Sequence, residues 1–223
     1  DYVWLYGAYE HQEAGQSQDD GPAGAGYPLP INQVTIDQFN EIAQVVKDIY
    51  GIEAGAPIKS RPFSNDRYFI RGDFQLSERH RAELTYQRLE EATTRSDDQA
   101  RTGTFGGTVV GGNTFYLSGT RSNYYSARLY SDWTDNLSTE IRYSRSEVRD
   151  VQDPVGGGEA QDANPIPRII VGVPNGPGSA DDGAVEVGPG FSRSANDLRT
   201  NVNQWRVAAK LDLGNHRLKF GGE

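Results

Sequence analysis

The sequence predicts an all-β fold: an antiparallel, up-and-down transmembrane β-barrel, represented by about seven strands. Long extracellular loops join the strands, and one loop carries a short helix. Three observations predict it. Segments of roughly ten residues alternate in polarity with period two, the mark of a strand with one apolar and one polar face. Their connections alternate too, tight polar turns with long segments, as in barrels of the outer-membrane type. The third is composition. The chain has 223 residues, 35% hydrophobic and 24% charged, with 26 glycines, and a mean hydropathy of −0.68. A wet-lumen barrel needs only every second strand residue to be apolar, so so polar a chain can still cross a membrane.

Residues 2–10 are strand-like but aromatic throughout. Residues 35–50 are the helix: Ile36, Phe39, Ile42, Ala43, Val46, Ile49 and Tyr50 recur at helical spacing. Thr35 with Gln38 matches a capping box, and Gly51 is a C-terminal stop. This helix is expected to pack on neighbouring loops. Residues 67–76 set Tyr68, Ile70, Phe74 and Leu76 against Arg67, Arg71, Asp73 and Gln75. Residues 81–91 set Ala82, Leu84 and Tyr86 against Arg81, Glu83 and Gln87. Residues 123–133 and 137–148 repeat the pattern with Tyr125, Ala127, Leu129 and Trp133, then Leu137, Ile141 and Tyr143. Residues 203–213 and 216–221 close the series with Trp205, Val207, Ala209, Leu211 and Leu213, then Leu218 and Phe220.

Short turns Ser77–His80, Thr134–Asn136 and Gly214–Asn215 join three pairs of these strands, with the residues that tight hairpins favour. The long connections are about 11–64, 93–121 and 150–201. Tyr68, Tyr86, Tyr125, Trp133, Tyr143 and Trp205 are expected as aromatic girdles at the membrane interfaces. The competing fold is a soluble β-sandwich. Its strands would be shorter and its loops much shorter.

Several classes are excluded. The chain has no cysteine, so it has no disulfide framework and no thiolate metal site. No apolar run reaches the roughly 18 residues of a membrane helix. A net charge of −9 speaks against nucleic acid as a partner. No nucleophile elbow, HExxH motif or phosphate-cradling glycine loop occurs, so the protein is read as a non-enzyme without cofactor. His11, His80 and His216 share no strand face at ligand spacing. The acid pairs Asp19-Asp20, Asp97-Asp98 and Asp181-Asp182 do not match a calcium loop.

The stretches Asn65-Asp-Arg-Tyr-Phe-Ile-Arg-Gly-Asp-Phe-Gln-Leu-Ser-Glu-Arg-His-Arg-Ala-Glu-Leu-Thr-Tyr-Gln-Arg, Gly15-Gln-Ser-Gln-Asp-Asp-Gly-Pro and Asn215-His-Arg-Leu-Lys-Phe-Gly-Gly-Glu resemble TonB-dependent outer-membrane receptors of the large-barrel, Oar-like group. The resemblance implies a 22-stranded barrel with an N-terminal plug, energised by the inner-membrane TonB complex and importing a scarce nutrient of the siderophore, oligosaccharide or peptide class. It implies outer-membrane lipid and the remaining barrel and plug as partners. The chain departs from that pattern in having no TonB box, plug or C-terminal aromatic anchor. Seven strands are an odd number, whereas bacterial barrels have an even one. The opening Asp1-Tyr-Val-Trp and the closing Leu218-Lys-Phe-Gly-Gly-Glu read as interrupted strands, so residues 1–223 are expected to be a mid-barrel segment of a longer protein. A passive porin-like barrel would look much the same, and a secreted or surface β-rich binding module is the reading from another class.

Two sets of candidate functional residues follow. Arg67, Arg71, Asp73, Glu83, Arg128, Asp132, Glu140, Arg142, Arg206, Lys210 and Asp212 are expected to face the lumen, either pairing across strands to hold the wall, or lining a path for solute or a contact surface for a plug. Tyr27, Asn113, Phe115, Tyr116 and Phe191 are candidates for ligand contact in the loops.

Overall fold

The structure, a computed structural model, describes residues 2–96, 105–158, 162–176, 181–189 and 198–223. In chain order the elements are β1 (Val3–Ser17), β2 (Asp20–Ala23), β3 (Leu29–Thr35), α1 (Ile36–Tyr50), β4 (Ser60–Ser77), β5 (His80–Ser96) and β6 (Gly107–Val110). They continue with β7 (Phe115–Asp132), β8 (Leu137–Pro154), β9 (Ile169–Val173), β10 (Gly183–Val187), β11 (Arg199–Leu213) and β12 (His216–Gly222). Among the described residues no helix is long and apolar enough to cross a membrane.

Seven strands form one antiparallel sheet in the order β1-β4-β5-β7-β8-β11-β12. Six of them correspond to the segments that the period-two pattern marks, and β1 to the strand-like, aromatic stretch 2–10. The tight turns β4–β5, β7–β8 and β11–β12 lie at one end, and the three long connections at the other. β1 and β12 are the two edges of the sheet.

The strands run further than the sequence indicates. β4, β7 and β8 have 18 residues each, against the ten expected. The excess lies at the loop end, so the long connections shrink to residues 18–59, 97–114 and 155–198. Polarity alternates only where the two faces meet different surroundings. Beyond the apolar zone both faces are polar, and the pattern vanishes while the backbone ladder continues.

The connections are not structureless. They build a cap in which β6, β10 and β9 form a three-stranded sheet and β2 pairs with β3. The main core is here: Val34, Phe39, Val46, Ile52, Val109, Val173, Val185 and Val187 pack together. Helix α1 is positioned by its ends. The Thr35 side chain accepts from the Gln38 amide, the Gln38 side chain accepts from the Thr35 amide, and Gly51 takes the left-handed conformation at φ 69°. Lys47 in the last turn meets Glu53 at 2.6 Å, and that hydrogen bond holds its ammonium above the usual lysine range. Gly111 passes so close to Ala54 that a Cβ would sit 2.5 Å from the Ala54 carbonyl oxygen. Glycine is therefore required where the cap crosses itself. The long connection expected over 93–121 thus supplies β6 and this crossing; residues 97–104 lie outside the described residues.

Candidate functional site

Opposed residues in an antiparallel ladder share a face. The registers pair Glu10 with Arg67, Asp73 with Glu83, Glu83 with Arg128, Arg128 with Arg142 and Arg142 with Arg206. Asp132 pairs with Ser138, and Ser138 with Lys210. With Arg71, Glu140 and Asp212 two residues from members of these rows, all eleven lumen candidates lie on one charged face.

Charge is distributed unevenly along it. On β4 and β5, Arg71 binds Asp73 through two hydrogen bonds, 2.8 and 2.9 Å, and reaches Glu83 at 3.0 Å. Glu83 also meets Arg128 at 3.6 Å. Further along, Arg142 meets Glu223 at 3.3 Å, and Lys210 and Arg217 share Asp212. Arg206 has no ion pair among the described residues. The sheet therefore carries one transverse row, Asp73, Glu83, Arg128, Arg142, Arg206, in which two acids are followed by three directly opposed arginines.

One step toward the cap lies a row of short side chains, Thr85, Ser126 and Ser144, ending on Gln204. Ser126 and Ser144 are only 7% and 3% exposed, because longer neighbours overhang them. This furrow opens into a cavity of ≈ 430 Å³ whose lining includes Phe69, Arg71, Glu83, Thr85, Ser126 and Arg128. The Ser126 Oγ and Arg128 Nε are buried there without a hydrogen-bond partner. A depression of ≈ 970 Å³ adjoins the turn end, with Arg81, Glu140, Arg206, Lys210 and Lys219 in its wall.

The opposite face is apolar and uncovered. Leu5, Leu84 and Trp205 are 78%, 51% and 63% exposed, and Ile70, Val207 and Phe220 resemble them. A belt of aromatic pairs bounds it toward the cap: Tyr9–Tyr68, Tyr86–Tyr125 and Tyr143–Trp205, with ring centroids 4.9, 5.2 and 4.6 Å apart. Each first tyrosine donates its hydroxyl to a polar side chain on the next strand: Tyr9 to Asp66 (2.6 Å), Tyr86 to Asn123 (2.9 Å) and Tyr143 to Asn203 (2.8 Å). His11, Arg88 and Arg145 sit directly opposite those acceptors, and each pairs with a carboxylate two residues on, Glu13, Glu90 and Glu147. The sequence signal is plain once the register is known. Tyr-x-(His/Arg)-x-Glu occurs at 9–13, 86–90 and 143–147, and (Asp/Asn)-x-(Tyr/Trp) at 66–68, 123–125 and 203–205. Trp133, at the turn end, stacks edge-on against His80 at 5.2 Å.

The loop candidates lie elsewhere than at an open mouth. Tyr27, Asn113, Phe115 and Tyr116 are all buried. The Tyr27 hydroxyl donates to the Ile58 carbonyl at 2.9 Å, and burial, with Asp20 nearby, pushes its pKa up. Asn113 donates to the Glu53 carbonyl at 2.8 Å and accepts from the Gly188 amide at 3.0 Å. These side chains hold the cap together and offer a ligand little surface. Phe191 lies outside the described residues, as do Asp97 and Asp98.

No protein family, curated protein or solved structure matches the chain.

Proposed function

We propose that this chain is part of the wall and cap of an outer-membrane β-barrel receptor of the TonB-dependent kind, importing a scarce nutrient. The cap captures solute on the outside, and the charged face of the sheet lines the lumen. Further strands complete the ring at the β1 and β12 edges. No covalent chemistry is involved; release is driven through a plug coupled to the inner membrane.

One observation carries this reading: seven strands joined in one antiparallel sheet expose a continuous apolar face. In water such a face would cost roughly 25 cal/mol per Å² left uncovered, and patches this extensive mark a membrane or partner surface. A β-sandwich would cover the face with a second sheet, and here it is bare. From Tyr68 to Leu76 the apolar side spans eight residue steps, about 27 Å of strand. Tilted as barrel strands are, that gives about 20 Å of height, close to the roughly 25 Å apolar band of outer-membrane barrels.

The test is behaviour in detergent. The chain should need detergent or lipid to stay monomeric, and the complete barrel containing it should migrate differently on gels before and after heating. A chain that stays monomeric and soluble in plain buffer overturns the membrane reading. A complete reading frame with no plug and no TonB box would replace the receptor by a passive barrel.

A further inference from the structure

We infer that the arginine row Arg128, Arg142, Arg206, with the hydroxyl furrow beside it, is an oxoanion-binding site, so that the solute this barrel admits carries a phosphate or carboxylate. The inference rests on the barrel reading above and names the substrate class for it.

Three observations converge. Directly opposed like charges on neighbouring strands repel, yet this sheet opposes three arginines in succession. The directly opposed acids Asp73 and Glu83 are neutralised by Arg71 and Arg128 beside them, whereas within the arginine row, among the described residues, only Arg128 and Arg142 meet a carboxylate, Glu83 and Glu223. The second is the state of the donors. Arg206 has no ion pair among the described residues, and the Ser126 Oγ and Arg128 Nε are buried without partners. Buried donors left unsatisfied are destabilising, and an acceptor arriving in the furrow would satisfy them. The third is shape. The short side chains of Thr85, Ser126 and Ser144 make a floor at the foot of the guanidinium row. Planar guanidinium forks match phosphate and carboxylate oxygens in bidentate geometry, and serine hydroxyls supply the remaining short contacts. The chain as a whole has a net charge of −9, so an anion is drawn to this row by its local field and not by the bulk charge of the protein.

The experiment uses the complete barrel that contains this chain, folded in detergent micelles, its folding checked separately by heat-modifiable gel mobility. Thermal unfolding is followed while inorganic phosphate, and in a parallel series succinate, is titrated against chloride at matched ionic strength. The expected result is saturable stabilisation by at least one of the two and none by chloride; which of them binds distinguishes a phosphate- from a carboxylate-bearing solute. Arg142→Gln and Arg206→Gln should each weaken that binding tenfold or more, and Arg206→Lys less. Lys219→Gln, which removes the same charge from the same face outside the row, should change it less than twofold. Stabilisation equal to that by chloride, or equal losses in the arginine and Lys219 variants, would overturn the site. A heat-modifiable barrel that ignores both probes would sink this inference alone and leave the barrel reading standing.

Discussion

At the scale of single residues, the cap holds its most exacting contact at Glu186. This side chain is fully buried between Val185 and Val187 and is ion-paired with Arg168. A buried pair gains little over an apolar pair of equal volume, but losing one member strands the other charge at a cost of about 3–5 kcal/mol. Glu186→Ala is therefore expected to destabilise the cap by that amount, while the double change Arg168→Met with Glu186→Leu recovers most of it. Amide exchange would check this: α1 and β10 should lose protection in the single variant, and β4, β5, β7 and β8 should not. Equal damage from the single and double variants would contradict the account. Such residues were not legible in the sequence. Glu186 sits in a short valine-rich stretch without a partner nearby in the chain, and Arg168 is remote until β9 and β10 pair. Asn113 and Tyr27 misled for a related reason: amides and aromatics serve a ligand site or a packed loop equally well, and only burial separates the two.

At the scale of elements, legibility followed the number of independent local signals. Helix α1 had three, namely apolar periodicity, the Thr35–Gln38 box and Gly51, and it forms at Ile36–Tyr50 with both caps in place. Six of the seven strands of the large sheet had one strong signal, period two, and it ended where both faces became polar. Strands β2, β3, β6, β9 and β10 run for four to seven residues among Gly and Pro. They are fixed by contacts within the cap and left almost no pattern to read. Because the helix ends are set locally, they can be altered locally. Thr35→Ala should cost α1 about 1 kcal/mol through the lost N-cap. Gly51→Ala should cost about 1–2 kcal/mol through its left-handed backbone alone, since nothing lies within 4 Å of an added Cβ. Proteolysis within residues 51–59 should rise in both variants, and Thr35→Ser should restore the parent rate. A Thr35→Ala chain cleaved no faster than the parent would show that the cap, and not its N-cap residue, holds the helix.

At the scale of the whole molecule, the fold inverts the usual arrangement of a small domain. The main core lies in the connections, and the sheet displays its apolar side chains outward. Such a sheet is stable only in surroundings that differ between its faces, and neighbouring positions on one strand can measure that difference. Ala208 and Ala209 are adjacent on β11 and point to opposite faces. Ala208 opposes Glu140 on the charged side; Ala209 opposes Thr139 and Phe220 on the apolar side, midway between Trp205 and Leu213. The same substitution at both sites removes every variable except the medium. In lipid vesicles, Ala209→Arg should cost about 2–4 kcal/mol, the penalty for arginine near the middle of a barrel's apolar band. Ala208→Arg places its cation beside Glu140, which has no ion pair among the described residues, and should change stability by no more than about 0.5 kcal/mol. Denaturant unfolding of both variants in vesicles gives the comparison directly. Equal effects at the two positions would mean that both faces meet water, and the apolar face would then need a protein partner in place of lipid.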